Sequence, residues 1–437
     1  MIRTKWVLTV YLTLLSSFVF AQEDRLVLIS PHWEGIRIEF ERAFRDHYQK
    51  TFNRSIRLQW IDVGGTLAVL RFLRTSFAKN PKGIGIDLVW GGGMDPYLQL
   101  KREGILQPLR IAPKVLRSLP TTASGVPLYD RDGFWYASAL SGFGILYNKR
   151  LLQLLKARPP LVWEDLADGA LSGWVEVPDP RRSGSAHMMC EIILQAYGWE
   201  KGWQVLTALF ANSKRVTAGS EDVVTDVSTG EVACGPSIDF YAWAKIAEVG
   251  KETLGFVYPK GLTVINPDGI GCLKGAPHLV PARAFVEFVL SEKGQRLWML
   301  PMGHRDGPKQ FTLARMSILP QLYEKLGDDS VITVNPFQFR PGLRYDGKKG
   351  ETRMDILNSL LGALLVTNHR ELRQAWSALL KRGLSGPQAA KILCRVPLSE
   401  KEALERAPSW ATDRRTATAL ETKWTAEARE RYRHIKG

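Results

Sequence analysis

The sequence is poor in cysteine. Only four cysteines occur in 437 residues, Cys190, Cys234, Cys272 and Cys394, and no two of them form a CxxC pair. This spacing argues against a zinc site, and the length excludes a small disulfide-stapled scaffold. The cysteines stand among apolar residues, which favours buried thiols, with one disulfide as the alternative.

The sequence also lacks the motifs of common enzyme classes. It contains no HExxH, no GxSxG, no P-loop and no complete dinucleotide-binding fingerprint after a strand. The run Gly83-Ile84-Gly85 misses the later glycine and precedes a predicted strand. We therefore predict that the protein is not an enzyme. Seven histidines and scattered carboxylates leave an exported enzyme as the alternative.

Long apolar runs are missing beyond the N-terminus. Arg3 and Lys5 precede an apolar run over residues 6–20, and Ala21 supplies a small residue before Gln22. The run is shorter than the roughly 20 residues of a membrane span, so we predict a cleaved signal peptide over 1–21 rather than a retained anchor. No cysteine lies near the cleavage site, which argues against a lipoprotein.

Composition is that of a folded, water-soluble protein. Hydrophobic residues make up 45% and charged residues 24%, which argues against disorder and against a polytopic membrane protein. The formal charge of +15 favours anions, acidic surfaces or nucleic acid as partners. Charge alone identifies none of these.

Short apolar runs alternate with helical periodicity from Arg25 onward, a rhythm typical of an α/β fold with mainly parallel sheets. We predict strands over 26–29, 56–61 and 86–90. Ser30 is predicted to cap the first helix, with Pro31 at its first position. The strands run into turns, two of them rich in glycine, before helices begin.

The middle of the chain predicts a second α/β unit. The apolar, glycine-containing segment 137–148 is our candidate hinge between two lobes. Strands are predicted over 174–177, 235–241 and 255–258, and a helix over 281–300. The predicted boundaries place lobe 1 at 22–137, lobe 2 at 138–260 and a return to lobe 1 at 261–325.

Residues 326–437 predict a helical C-terminal extension without strands. Helical stretches rich in Arg, Lys, Leu and Ala span 354–366, 371–380 and 399–432. We expect these amphipathic helices to pack on the α/β body with a solvated basic face, and predict no nucleic-acid partner. An interaction surface for an acidic partner is the alternative.

Three turns follow strands and open helices, where unpaired N–H groups attract anions. They are 30–33, 64–66 and 179–185, and they should converge on one cleft at the carboxyl ends of the strands. The third combines Ser183, Gly184 and Ser185 behind two arginines. Ordinary turn formation and helix capping by Ser183 are the alternative explanation.

Several single residues admit two interpretations. His32 is either a ligand of a metal or anion or a structural histidine, and Trp33 either stacks on a ligand or fills a lobe. Asp239 and Tyr241 follow a predicted strand and either point into the cleft or serve as a cap and a core aromatic. Asp268, after Asn266-Pro267, is interpreted as a turn residue.

Taken in order, segments 28–34, 86–90, 142–149, 179–185 and 238–243 resemble the periplasmic solute-binding proteins of bacterial ABC importers. The resemblance covers roughly residues 25 to 325 and is to the branch of ferric-ion-binding proteins. It implies a type II-like fold of two lobes that close on a ligand around a hinge. It also implies a periplasmic protein that serves a permease in the inner membrane.

The resemblance also implies site residues. His32 and Tyr241 match two iron ligands of that branch, but Ala242 stands at its second tyrosine and glycines 91–93 at its acidic position. Fe(III) prefers several anionic oxygen donors, so direct ferric binding becomes the alternative. The predicted ligand-binding residues are His32, Trp33, Gly65, Thr66, Gly92, Asp179, Ser183, Gly184, Ser185, Asp239 and Tyr241, with His32 and Tyr241 as candidate metal ligands.

The predicted function is therefore that of the substrate-binding component of an ABC transporter. We expect a monomer that captures a small organic or phosphorylated anion, or a metal chelate, between its lobes. No cofactor is predicted, with a bound metal ion or chelate as the alternative.

Overall fold

The computed structural model describes residues 23–340, 342–410 and 412–436. The predicted signal peptide, 1–21, lies outside the described residues and stays a prediction. Among the helices of the described ranges, none is both long and apolar enough to cross a membrane.

The first part of the chain alternates strands and helices, as predicted. The elements are β1 (Asp24–Ile29), α1 (Glu34–Phe52), β2 (Ile56–Ile61), α2 (Thr66–Lys79), β3 (Leu88–Trp90), α3 (Met94–Arg102), β4 (Leu106–Gln107), α4 (Pro113–Ser118) and the pair β5 (Thr122–Ala123) and β6 (Val126–Pro127). Strand β1 is parallel to both β2 and β3, which confirms the α/β class. The third predicted strand, 86–90, is shorter than expected.

Helix α1 forms because its apolar residues recur every four positions. Ile36, Phe40, Phe44 and Tyr48 lie on one face and are all almost fully buried. The helix begins at Glu34, so the start predicted at Pro31 was wrong. The Ser30 hydroxyl instead accepts a hydrogen bond from the His32 backbone N–H at 3.1 Å, which holds this segment in a turn.

Strand β7 (Trp135–Asn148) crosses from one lobe to the other. Up to Gly142 it pairs with β12 (Ile265–Leu273), and beyond that point with β10 (Cys234–Ile238) and β11 (Leu254–Val257). The order of hydrogen-bonded strands is therefore continuous across both lobes. It runs β2-β1-β3-β12-β7-β10 and ends with β8 (Val175–Pro178) and β9 (Ser213–Thr217). The predicted hinge segment, 137–148, is this crossing strand.

The second lobe repeats the α/β pattern. Its other elements are α5 (Lys149–Leu154), two 3-10 turns (Trp163–Ala167 and Gly169–Leu171), β8 (Val175–Pro178), α6 (Gly184–Tyr197), α7 (Trp199–Asn212), β9 (Ser213–Thr217), α8 (Ser220–Thr229) and α9 (Asp239–Val249). The strand predicted over 235–241 ends at Ile238. Asp239 is the first residue of α9 rather than a strand residue.

The chain then returns to lobe 1. The elements are α10 (Leu279–Leu290), α11 (Glu292–Met299), α12 (Gln321–Leu326) and a 3-10 turn (Gly327–Asp329). The single helix predicted over 281–300 is two helices. Ser291 interrupts it because its side chain caps α11, accepting a hydrogen bond from Gly294 N–H at 3.2 Å.

After an irregular segment over 330–340 and 342–346, the described part of the C-terminal extension is mainly helical. It comprises α13 (Gly347–Leu361), a π-helical turn (Gly362–Val366), α14 (His369–Lys381), α15 (Gly386–Leu393), α16 (Glu400–Trp410) and α17 (Arg414–Lys436). Leu357, Leu372 and Trp376 lie in the same core as Ile192 of lobe 2. The extension thus packs on the α/β body. Helix α15 was not predicted, and the stretch predicted over 399–432 is two helices, α16 and α17.

The cysteines are free thiols. Cys190, Cys234 and Cys272 are buried and Cys394 is half-buried. Burial raises the pKa of the Cys272 thiol to about 11, so this side chain stays protonated at neutral pH. The prediction of buried thiols is confirmed for three of the four.

Candidate functional site

A cleft of about 490 Å³ lies between the lobes at the carboxyl ends of their strands. The three predicted turns meet there. From the predicted set, the residues that line it are His32, Trp33, Gly65, Thr66 and Gly92 of lobe 1 and Ser183, Gly184, Ser185 and Tyr241 of lobe 2. Met354 of the C-terminal extension also lines it.

The N-termini of four helices open onto this cleft. Helices α2, α3, α6 and α8 have Gly65, Gly93, Ser183 and Gly219 as their N-cap residues, and all four residues line the cleft. A helix N-terminus presents free backbone N–H groups and the positive end of the helix dipole. The cleft is therefore suited to an anion.

Three serine hydroxyls form a triangle at the N-termini of α6 and α8. The Oγ–Oγ distances are 3.0 Å for Ser183–Ser185, 2.8 Å for Ser183–Ser220 and 2.7 Å for Ser185–Ser220. Ser183 also caps α6, accepting a hydrogen bond from Ala186 N–H. Because each O–H group can rotate, the three serines can redirect their hydrogen bonds to a bound oxyanion.

Sequence analysis missed Ser220. A signal was present, since Gly219-Ser220 follows a strand and opens a helix, as the turn containing Ser183 does. Proximity of the two turns could not be read from the chain, because they lie on different strands of the sheet.

The two lobes touch across the cleft. A Cβ on Gly65 would lie 2.3 Å from the carbonyl oxygen of Arg182. Non-bonded atoms do not approach so closely, so only glycine permits the two turns to meet here. The structure is thus a closed form in which the anion-binding turns of both lobes face one space.

A buried ion pair lies beneath the first lobe's side of the cleft. Arg315 Nη1 donates to Asp268 Oδ2 at 2.9 Å, and Arg315 Nη2 donates to Ser141 Oγ at 3.0 Å. Burial by itself would raise the pKa of Asp268, but the charges of Arg315 and His32 outweigh it and hold the pKa well below its usual range. Asp268 is therefore a carboxylate.

Asp268 is not the turn residue predicted from Asn266-Pro267. It lies within β12, opposite Ala139 of β7, and its Oδ1 accepts a hydrogen bond from Gly92 N–H at 2.9 Å. Neither this role nor its partner Arg315 was found from sequence. The two residues are far apart in the chain, and neither belongs to a motif.

His32 is engaged by this network. Its Nε2 lies 2.8 Å from Asp268 Oδ2, and burial lowers the pKa of the imidazole. Burial, together with the nearby Glu221, raises the pKa of Tyr241 well above its usual range. Within the described part of the chain, no three His, Cys, Asp or Glu residues cluster as a metal site. Neither of the two predicted metal ligands, His32 and Tyr241, is thus an anionic oxygen donor of the kind that Fe(III) prefers.

Two predicted residues lie behind the cleft wall rather than on it. Asp179 accepts hydrogen bonds from the backbone N–H and the guanidinium of Arg181, at 2.9 and 3.0 Å. Asp239 accepts from Gly142 N–H at 2.6 Å and from the Tyr258 hydroxyl at 2.9 Å. Both carboxyl groups therefore hold neighbouring backbone in place.

The arginine side chains of the cleft differ in whether they form ion pairs. Arg37 is paired with Asp62 at 3.0 Å, and Arg315 with Asp268. Arg182 lines the cleft, is exposed, and forms no ion pair with any described residue. It is thus a cation available beside the serine triangle.

Residues 93–303 match the family model of a bacterial extracellular solute-binding protein. This part of the chain is similar to that family. The chain is 34% identical over 277 residues to the phosphoglycerate transport regulatory protein PgtC of Salmonella typhimurium. That match covers 60% of this chain and 62% of the relative.

Solved structures share the two-lobed fold. The periplasmic binding protein AfuA of Actinobacillus pleuropneumoniae, with fructose-6-phosphate bound, has a TM-score of 0.59 at 18% identity, over 77% of this chain and 98% of AfuA. Iron-bound HitA of Pseudomonas aeruginosa has a TM-score of 0.51 at 20% identity, over 62% and 82%. The predicted two-lobed fold is confirmed.

Proposed function

We propose that this protein captures a small phosphorylated organic anion between its lobes and delivers it to the membrane permease of an ABC importer. The observation that carries the proposal is the serine triangle, where Ser183, Ser185 and Ser220 meet at the N-termini of two helices in a closed cleft. A phosphate has several acceptor oxygens, and this subsite offers several donors.

The relatives point to the same chemical class. PgtC carries phosphoglycerate in its name, and the AfuA structure holds a sugar phosphate. Phosphorylated solutes are charged at neutral pH, as a cleft ringed by helix N-termini and Arg182 requires. A bare ferric ion fits less well, because His32 is held by Asp268 and the phenol of Tyr241 stays protonated.

The remaining expectations follow from this role. The protein works in the periplasm as a monomer after removal of its signal peptide, and it releases its ligand unchanged. Binding proteins of this kind close around a ligand that contacts both lobes, and the ligand's differential affinity for the closed form drives closure. We propose no chemical step.

A thermal-shift panel on the purified protein tests the proposal. The compounds are inorganic phosphate, 3-phosphoglycerate, fructose 6-phosphate, ferric chloride, ferric citrate and unphosphorylated glycerate. A ligand at about 100 times its dissociation constant adds roughly 2.7 kcal/mol to the free energy of unfolding. Stabilisation by phosphorylated compounds and not by glycerate is expected, whereas stabilisation by ferric salts alone would overturn the proposal.

A second candidate is a ligand sensor that signals to a membrane partner. It is favoured by the word "regulatory" in the name of PgtC and by the C-terminal extension, which contacts the cleft through Met354. Deletion of the gene distinguishes the two. An importer component is required for uptake of the solute, whereas a sensor is required only for the cell's transcriptional response to it.

A further inference from the structure

The C-terminal extension contacts both lobes beside the cleft. Toward lobe 1, the Tyr345 hydroxyl donates a hydrogen bond to Asp95. Toward lobe 2, Arg353 and Glu191 form an ion pair at 2.8 Å with both side chains fully buried, and Asn358 Oδ1 lies 2.9 Å from His187 Nδ1. The C-terminal extension is thus joined to each lobe by polar contacts.

Two buried polar side chains on this side of the cleft each have one atom without a hydrogen-bond partner among the described residues. Asp95 is 3% exposed and His187 is 2% exposed, and both line the cleft. Asp95 Oδ1 and His187 Nε2 have no hydrogen-bond partner among the described residues. An unsatisfied buried polar atom destabilises the folded protein, so such atoms are retained where something else satisfies them.

Their partners decide what these groups can bind. The Nδ1–H of His187 donates to Asn358 Oδ1, which leaves the lone pair of Nε2 as an acceptor. Burial lowers the pKa of His187, so the imidazole is neutral. It can therefore accept a hydrogen bond from a hydroxyl group of a ligand.

Asp95 is similarly prepared. One carboxyl oxygen accepts from Tyr345, while burial, reinforced by the charges of Glu191 and Glu351, raises the pKa of Asp95 to about 8. A carboxyl group that is largely protonated at neutral pH can exchange hydrogen bonds with a hydroxyl. The desolvation that raises this pKa also disfavours a second anion here, so this side of the cleft suits the uncharged end of a solute.

We propose that the C-terminal extension forms a third wall of the binding site, at which Asp95 and His187, positioned by Tyr345 and Asn358, hydrogen-bond hydroxyl groups of a phosphorylated solute. This inference rests on the proposed function and deepens it. The phosphate binds at the serine triangle and the hydroxyl-bearing end at the third wall. The ligand class is thus a phosphoester of a polyol, sugar or hydroxy acid.

The test compares two phosphoesters of similar size by isothermal titration calorimetry. Glycerol 3-phosphate carries two free hydroxyls, and propyl phosphate carries none. A site built to bind hydroxyl groups rejects the analogue that lacks them, because its polar atoms are then left unpaired. The wild-type protein is expected to prefer glycerol 3-phosphate by at least about tenfold.

Tyr345→Phe and Asn358→Leu should each reduce this preference several-fold while leaving the affinity for propyl phosphate unchanged. The matched control is Tyr432→Phe, which also removes a buried hydroxyl of the extension, one that donates to the Leu364 carbonyl at 3.0 Å away from the cleft. It should keep the full preference. A merely structural defect would weaken the binding of both probes equally. The ratio of the two affinities therefore reports how Asp95 and His187 are positioned.

The outcomes separate this inference from the proposed function. Equal affinity of the wild type for both probes would overturn the third wall and leave phosphate capture standing. An unchanged ratio of the two affinities in both Tyr345→Phe and Asn358→Leu would likewise overturn the third wall and leave phosphate capture standing. Failure of the wild type to bind either probe would overturn the proposed function together with the inference that rests on it.

Discussion

A Cβ placed on Gly184 of lobe 2 would lie 2.5 Å from the Thr66 hydroxyl oxygen of lobe 1. Helices α2 and α6 thus begin at points that touch each other when the lobes are closed. Gly184 leaves no side chain between the turns, so the N-termini of both helices can face one ligand.

Gly184→Ala should therefore impair closure. The added methyl group would meet Thr66 in the closed form only, so affinity for a phosphorylated ligand should fall by roughly tenfold or more while the unliganded melting temperature changes little. Small-angle scattering with ligand should show a larger radius of gyration than for the wild type. Gly169→Ala, at a glycine whose Cβ would meet nothing within 4 Å, is the matched control.

Ser220→Ala tests the residue that sequence analysis missed. Loss of one hydroxyl from the triangle should weaken phosphoester binding by about tenfold, as expected for one hydrogen bond to a charged group. Calorimetric titration gives the affinity. Ser228→Ala removes a half-buried serine of the same helix, whose hydroxyl donates to Thr225 O, and should bind as the wild type does. Equal affinities for all three proteins would contradict the assignment.

Arg353→Met should weaken the attachment of the extension to lobe 2. Glu191 would stay buried without its partner, so the free energy of unfolding should fall by about 3–5 kcal/mol in urea titrations. Lys349→Met is the control, because Lys349 pairs with Glu400 at the partly exposed surface, at 3.3 Å. That pair is worth less than about 1 kcal/mol. Similar losses in the two variants would argue against a buried anchor at Glu191.

Asp95 should make stability depend on pH. Burial raises its pKa from about 3.8 to about 8, so between these values the folded protein retains a proton that the unfolded chain has released. The free energy of unfolding should therefore fall as pH rises from 5 to 8, by at most about 1.4 kcal/mol per pH unit for one proton. Asp95→Asn has no such proton and should show a flatter profile in urea titrations.

The other raised carboxyl groups serve as an internal reference. Burial raises the pKa of Asp239 to about 7 and that of Glu176 to about 8, and it also raises the pKa of Glu351. All three groups remain in the variant. The wild-type profile minus that of Asp95→Asn thus isolates one group. Parallel profiles would show that Asp95 is ionised in the folded protein.

Local patterns predicted most elements of the fold. The four-residue spacing of Ile36, Phe40 and Phe44 predicts the buried face of α1 wherever that helix packs. The errors came where a single side chain decided a boundary. The Ser30 hydroxyl holds the chain out of the first helix, and Ser291 starts a new one.

The site was predicted in part for a related reason. Gly65, Ser183 and Gly184 lie in turns between a strand and a helix, and such turns are recognisable from a few adjacent residues. Ser220 belongs to a similar turn, but its contact with Ser183 depends on the order of strands in the sheet. Asp268 was misjudged because its local sequence resembles a turn, while its partner Arg315 comes from a distant segment.

The order of residues along the chain was enough to predict the α/β alternation, the crossing strand between the lobes and the turns that open helices, because each rests on neighbouring residues. Contacts between distant residues needed the tertiary structure. It joined Arg315 to Asp268 and set Tyr345 against Asp95. Such pairs form when segments that no local periodicity connects pack together and become buried. They place the helical C-terminal extension beside the cleft as one of its walls.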